Sequence, residues 1–432
     1  MNSVKYFILF ILVFIFLLFS CTSTPLPSSA SVTVPEDFFG LVHAGRTKTS
    51  DEFRVLDEMG IVWVLKTFGW ADIEPEKGIY DFSRYDSFVD ATLKNGHKIA
   101  VTLGYESQWI RNEVGKQKYI PSHYISDFLN YIEATVIHYK GKVHAWQIWN
   151  EPNWIFWKGS DREFFELSKQ AAQRIRETDS DAFIIGGGFS GAPVSFIKNM
   201  HKTGAMENLN AISFHPYGIN PYSSMLLHDT FLKVISDINF KGEVWITEVG
   251  YPTGGLYPSK VSLNEFPSYV IKTVSGSAAR GIRVLFWYQL FDSYLQGQSP
   301  NNYNSEIFFG LVYRDYTKKD GAFAYQLCAQ YLPGSRYMPQ LPLRENVSSN
   351  IVSFCFLEGV TGSNILIIWN DKKSTQKIKV TLSSPITLHN ISTGVNIILE
   401  DNSIIDVTNK PVFITWKGET YPQISHVTGK IK

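Results

Sequence analysis

The chain has 432 residues, 44% hydrophobic and 15% aromatic, with 40 basic and 40 acidic side chains that cancel. That length exceeds one ordinary domain and supplies a large core. With no net charge and no basic stripe, the chain gives little support to nucleic-acid binding and argues against a strongly acidic polymer as partner. Eleven tryptophans suit either core packing or a surface on which the apolar faces of sugar rings stack.

The first element is an export signal. Met1 to Lys5 carry one positive charge and Tyr6 to Ser20 carry none. The apolar run is shorter than the about 20 residues of a spanning helix and suits a signal-peptide core. It ends in Leu18-Phe19-Ser20-Cys21, which resembles the lipobox of bacterial lipoproteins. Leu18 and Cys21 fit that box, whereas Phe19 and Ser20 are looser matches. The resemblance implies a signal peptide over 1–20, lipidation at Cys21 and a lipid-anchored protein of the bacterial cell envelope. An uncleaved anchor also places the remainder outside the cytoplasmic membrane. Residues 21–35, rich in Ser, Thr and Pro, read as a tether.

Eight strand candidates follow, near Gly40, Ile61, Lys98, Val143, Ala182, Asn210, Val244 and Arg283. Most are nearly continuous apolar runs, the pattern of parallel strands buried on both faces. Helix signals separate them: Thr49 with Glu52 and Ser160 with Glu163 have capping-box spacing, and Asn95-Gly96 and Gly281 are stops. Such an alternation predicts an α/β fold, a (β/α)8 TIM barrel over 36–336. Gly186-Gly187-Gly188 lacks the lysine and spacing of a phosphate loop and reads as a tight turn at the barrel rim. Beyond Pro333-Gly334 only short β-rich runs and turns occur, which predicts a small antiparallel β-sandwich over 337–432. Cys328 and Cys355 fit either a disulfide or two buried thiols. No Cys/His spacing suggests a metal.

Two carboxylates stand out by position. Glu151 closes the fourth strand candidate and Glu248 the seventh, roughly three βα units of about 30 residues apart. In a closed barrel both strand ends face the C-terminal mouth, where active sites of this fold sit. Glycoside hydrolysis needs such a pair, one carboxyl protonated to donate to the leaving oxygen and one ionised.

Five segments in order resemble the clan A glycoside hydrolases, the TIM-barrel retaining β-glycosidases. They are Trp70-Ala71-Asp72-Ile73-Glu74-Pro75 and its continuation to Phe82, Trp149-Asn150-Glu151-Pro152-Asn153, Ser213-Phe214-His215-Pro216-Tyr217, Ile246-Thr247-Glu248, and Phe286-Trp287-Tyr288. The appended sandwich is similar to that of family 39 and its relatives. The resemblance implies a double displacement with Glu248 as nucleophile and Glu151 as acid and then base. It also implies that Asn150 bonds the sugar 2-hydroxyl, that His215 and Tyr217 orient Glu248, and that Trp287 floors the subsite before the scissile bond. His43, Trp70 and Trp109 are further candidates at strand ends. Glu74 and Glu106 read as rim carboxylates. Clan members often carry a strand-two Arg that braces the nucleophile; here that strand holds Lys66, a point charge without the guanidinium fork.

The two carboxylates supply the whole chemistry, so no cofactor and no metal is expected. The expected partner is a carbohydrate, a polysaccharide or its oligosaccharides. Two alternatives stand beside hydrolysis: a non-catalytic surface glycan-binding lipoprotein, and a transglycosylase using the same residues. The sequence leaves the sugar, the linkage, endo or exo attack and the oligomeric state open.

Overall fold

A computed structural model describes residues 31–42, 50–114, 118–257, 259–298, 303–339, 350–372, 374–381, 385–400, 403–418 and 423–426. The signal peptide, Cys21, His43 and the Thr49 cap lie outside the described residues.

All eight strand candidates form, as Phe39–Val42, Trp63–Gly69, Lys98–Gly104, Ala145–Ile148, Ile184–Ser190, Ala211–His215, Glu243–Val249 and Leu285–Trp287. They close in that order into a parallel barrel, the last pairing with the first. Burial on both faces explains their unbroken apolar character. Inward-facing Trp63, Leu65, Ala145, Ile185, Trp245 and Phe286 make a compact plug inside the barrel. The outward faces pack on the helices in a second, larger core. The helix Asp161–Thr178 starts on the expected capping box: Ser160 Oγ accepts from the Glu163 amide at 3.3 Å and Glu163 Oε2 accepts from the Ser160 amide at 2.7 Å. The Gly186–Gly188 run is not a rim turn. It lies inside the fifth strand, where the pairing with the sixth is bulged between Gly187 and Phe189.

The C-terminal region is antiparallel: a seven-stranded sheet and a three-stranded sheet. Its seven-stranded sheet takes in Val32–Thr33 from the opposite end of the chain, paired with Arg336–Tyr337. The expected tether therefore stops short of residue 35, because Val32–Thr33 are hydrogen-bonded and Val34 is fully buried. The core is continuous from barrel to sheet through Phe354, Trp369 and Phe413. Lys272 and Lys410 reach across to the Asn409 carbonyl and to Asn264. Cys328 and Cys355 are separate buried thiols, both pushed up by burial. Among the described residues no helix is long and apolar enough to cross a membrane.

Candidate active site

A cavity of about 640 Å³ opens at the C-terminal ends of the barrel strands, within the usual size range of small-molecule sites. Its lining includes Asn150, Glu151, His215, Tyr217 and Glu248, so five of the sequence-predicted residues meet in one place.

The fourth strand brings two neighbouring residues to the same side, which a regular strand does not do, since its side chains alternate. Here Trp149 and Glu151 adopt left-handed backbone angles, φ 66° and 44°. Such angles cost a non-glycine residue on the order of 1 kcal/mol or more. The surroundings hold them in place: the Trp149 amide donates to the Leu103 carbonyl and the Glu151 amide to the Gly188 carbonyl, both at 2.9 Å. Asn153 exchanges two 2.9 Å hydrogen bonds with the Ser190 backbone. Trp149 turns outward into the core against Phe128 and Trp157, while Asn150 and Glu151 face the cavity. Gly188 supports this arrangement from below. Its φ is +58°, and a Cβ there would lie 3.0 Å from Gln147 Nε2, 3.3 Å from His215 Nε2 and 3.4 Å from Asn150 Oδ1.

His215 stands between the two carboxylates. Its Nδ1 is 2.9 Å from Glu151 Oε1 and 3.6 Å from Glu248 Oε2, and its Nε2 is 3.1 Å from Thr247 Oγ1. One oxygen of each carboxylate and a nitrogen of His215 all lie within 4.8 Å of one another. These three side chains are a set from which a metal site can be built. Both imidazole nitrogens are already engaged, however, so His215 has no free lone pair for a cation while those bonds hold. Burial works to lower the His215 pKa, but the charges of Glu248 and Glu151 outweigh it and raise it above the ordinary imidazole value. Glu248 accepts a 3.0 Å hydrogen bond from the Tyr217 hydroxyl. Burial, with help from Glu151 and Glu306, pushes Glu248 up to about 7, against the pull of His215 and Tyr217. Burial and the Glu248 charge hold Tyr217 well above the usual phenol range, so it stays a donor.

Three expected site residues, Trp287, Trp70 and Trp109, lie outside the cavity lining. Trp287 is fully buried and packs outward against Tyr251, Phe266 and Tyr325, so it does not floor the cavity. Its neighbour Tyr288 lines the cavity instead and donates to Glu306 Oε2 at 2.9 Å. Trp70 is also fully buried, among Trp109, Phe128 and Tyr131, with its indole N–H on Glu74 Oε2 at 2.5 Å. Glu74 is thus a loop brace, which also accepts from the Gly78 amide, and Glu106 is buried against Arg111. Lys66 does not replace the bracing Arg: its ammonium lies 4.9 Å from the Phe88 ring on the helix side, and Thr67 is the strand-two residue that reaches the cavity.

Sequence reasoning missed Tyr105, Tyr257, Glu306 and Phe309, all of which line the cavity. Tyr105, which hydrogen-bonds Asn150, directly follows the third strand and was findable from that position. Tyr257 sits in the segment after the seventh strand, and Glu306 and Phe309 on and beside the 3₁₀ turn Ser305–Phe308, with no motif around them. Of the aromatics after Glu151, Trp154 and Phe156 line the cavity while Trp157 is core.

Known proteins share this architecture. The family described as β-galactosidase, glycoside hydrolase family 42, matches residues 42–114. The chain is 25% identical over 183 residues to endo-1,4-β-xylanase A of Phanerodontia chrysosporium, covering 38% of this chain and 44% of that protein. It is 36% identical over 86 residues to a β-1,4-xylanase of Dictyoglomus thermophilum, covering 19% of this chain and 23% of that protein. The chain thus spans less than half the length of these curated relatives. Among solved structures, a family 39 glycoside hydrolase from the gut symbiont Bacteroides cellulosilyticus superposes with a TM-score of 0.73 at 20% identity, over 89% of this chain and 81% of that one. A family 39 β-xylosidase from Caulobacter crescentus gives 0.64 at 16% identity, over 91% and 98%.

Proposed function

We propose that this chain, whose barrel and matches are those of the clan A glycoside hydrolases, is a retaining β-glycoside hydrolase. The observation that carries the reading is that Glu151 and Glu248 face one cavity with one oxygen of each within 4.8 Å of the other, an approach that supports the shorter of the two known spacings. Carboxyl groups about 5–5.5 Å apart suit direct attack on the sugar, whereas inversion needs about 6.5–9.5 Å to admit a water. Glu248 attacks the anomeric carbon and the leaving oxygen takes a proton from Glu151. Water then attacks the glycosyl ester, losing its proton to Glu151, and the sugar leaves with its β configuration. Asn150, beside the acid and tied to Tyr105, is placed to bond the sugar ring. His215 and Tyr217 hold the two carboxylates in register.

The relatives act, by their names, on β-linked xylan or xylosides and on β-galactosides, which supports a β-linked neutral glycan as substrate class. The cavity agrees with that choice. Glu151, Glu248 and Glu306 line it, and with Lys118 alongside, over the Phe156 and Tyr105 rings, carboxylates still outnumber that cation, which disfavours a sugar carboxylate. The test is to incubate the mature protein with a panel of β-linked neutral oligosaccharides and follow the products by proton NMR. The β-anomer is expected first, converting later to the equilibrium mixture. First appearance of the α-anomer overturns the double displacement. Oligosaccharide binding without any turnover on the panel favours the glycan-binding alternative.

The Leu18-Phe19-Ser20-Cys21 segment supports export and lipid anchoring through Cys21 in a bacterial cell envelope. Two anchoring signals or a transmembrane segment hold a protein firmly, and a diacylglyceryl cysteine supplies two chains. In a bacterial host, Cys21→Ser is expected to move the protein from the membrane fraction to the soluble fraction or to leave the precursor unprocessed. Unchanged processing and membrane association contradict lipidation.

A further inference from the structure

Behind one wall of the cavity lies an ion pair that takes no part in the proposed chemistry. Lys319 Nζ and Asp292 Oδ2 are 2.5 Å apart and both side chains are fully buried. The ammonium also donates to Thr253 Oγ1 at 2.9 Å and to the Phe308 carbonyl at 3.4 Å. Asp292 Oδ1 accepts from the Gly310 amide at 2.7 Å, and the Tyr294 hydroxyl bonds the same carboxylate. Thr253 belongs to the segment after the seventh strand. Asp292, Phe308 and Gly310 belong to the segment after the eighth, and Lys319 caps the helix Asp320–Tyr331. Three stretches of chain therefore converge on one pair of charges.

The packing leaves little slack. A Cβ on Gly310 would lie 2.1 Å from the Asp292 nitrogen, so the two backbones are in direct contact. The Thr253 amide donates to the Phe308 carbonyl at 3.0 Å, the Tyr257 amide to Ser305 Oγ at 2.8 Å and the Ser293 amide to the Ile307 carbonyl at 3.1 Å. These segments deliver Tyr257, Tyr288, Glu306 and Phe309 to the cavity. A buried ion pair is weak support for stability, since an apolar pair of similar volume is often neutral or stabilising. What it does supply is direction: the Lys319 ammonium ties the helix start to the segments after the seventh and the eighth strands at once, and Asp292 is held within its own segment by Gly310 and Tyr294.

We infer that Lys319 and Asp292 are positioning residues that set the wall formed by Tyr257, Tyr288, Glu306 and Phe309, and through it the grip of the cavity on its sugar. Neither residue touches the cavity. The functional half of this inference rests on the proposed glycosidase activity; the structural half does not. Both are read in the double variant Lys319→Met with Asp292→Leu, which avoids leaving either charge buried alone. Amide hydrogen exchange followed by mass spectrometry reads the wall without any substrate. Peptides covering 250–257 and 303–312 are expected to exchange at least about tenfold faster than in the wild type, with peptides of the first four strands unchanged. With the neutral oligosaccharide that the wild type cleaves best, KM is expected to rise about tenfold or more. The kcat is expected to change less than about threefold, and the pH profile of kcat/KM to stay in place. Unaltered exchange in those peptides overturns the pin. Faster exchange with an unchanged KM, or a displaced pH profile, overturns its role in substrate grip. A wild type that turns over nothing refutes the glycosidase reading instead, and the exchange result still decides whether the pair holds the wall.

Discussion

Replacing Glu248 by Gln is expected to abolish turnover while making the protein more stable at neutral and alkaline pH. An amide forms no glycosyl ester, so kcat/KM should fall by at least about 10⁴-fold, or about 5 kcal/mol of transition-state stabilisation. The stability gain follows from the raised pKa. In the folded protein Glu248 titrates near 7, above the ordinary 4.5, chiefly because the cleft buries it. Between those two values the folded state holds a proton that the unfolded state has released. Stability is therefore lost as pH rises through that window and stays lower above it. Glutamine carries no such charge. The variant should match the wild type below about pH 4.5 and exceed it by about 1–3 kcal/mol at pH 8, a few degrees in Tm. Thermal melts at pH 4.5 and pH 8 measure this. A variant less stable at pH 8 contradicts the burial argument, and one that retains turnover removes Glu248 as nucleophile. The contrast is physically sensible: a carboxylate forced to ionise in a cleft is costly to the fold and useful to the reaction.

For Glu151→Gln the expected loss depends on the leaving group. A sugar alkoxide leaves poorly without a proton, so oligosaccharide cleavage should fall by about 10³-fold or more, within the usual range for general acid–base catalysis. A dinitrophenyl glycoside needs no acid, so its first step should proceed near the wild-type rate. The second step then stalls, because no base remains to activate water. The visible result is a burst of dinitrophenol equal to the enzyme concentration, followed by slow turnover. Added azide needs no general base. It should accelerate that slow phase and yield the β-glycosyl azide, formed by two successive inversions. A leaving-group-independent loss, or no effect of azide, assigns the acid/base role to another residue. The bond from His215 Nδ1 to Glu151 makes Gln an apt replacement, since its side-chain carbonyl still accepts there.

Much of this protein was legible before folding was considered. Strands such as Lys98–Gly104 and Glu243–Val249 announce themselves because a barrel strand is buried on both faces and must be apolar throughout. Glu151 and Glu248 stand out for the complementary reason, as charged residues at the ends of such runs. The errors have an equally physical origin. The resemblance points to Trp287 and strand-end position to Trp70, but neighbouring residues such as Trp287 and Tyr288 face opposite sides, and Trp70 opens the short helix Trp70–Ile73 with its indole in the core. Tyr288 therefore took the place expected of Trp287, and Thr67 reached the cavity while Lys66 turned to Phe88. At the fourth strand the same rule fails the other way, because two left-handed residues put Asn150 and Glu151 on one side.

The local chemistry of the chain, acting over a few residues, determined the order of strands and helices, the capping box at Ser160 and which two carboxylates close strands four and seven. These depend on periodicity and turn preference, which are written in neighbouring residues. Tertiary structure alone decided the distance between Glu151 and Glu248, the placing of His215 between them and the raised pKa of Glu248. It also decided the wall of Tyr257, Glu306 and Phe309, and the pairing of Val32–Thr33 with Arg336–Tyr337. Each of these joins residues far apart in the chain. Closure of the barrel and exclusion of water create such relations, and no local pattern encodes them.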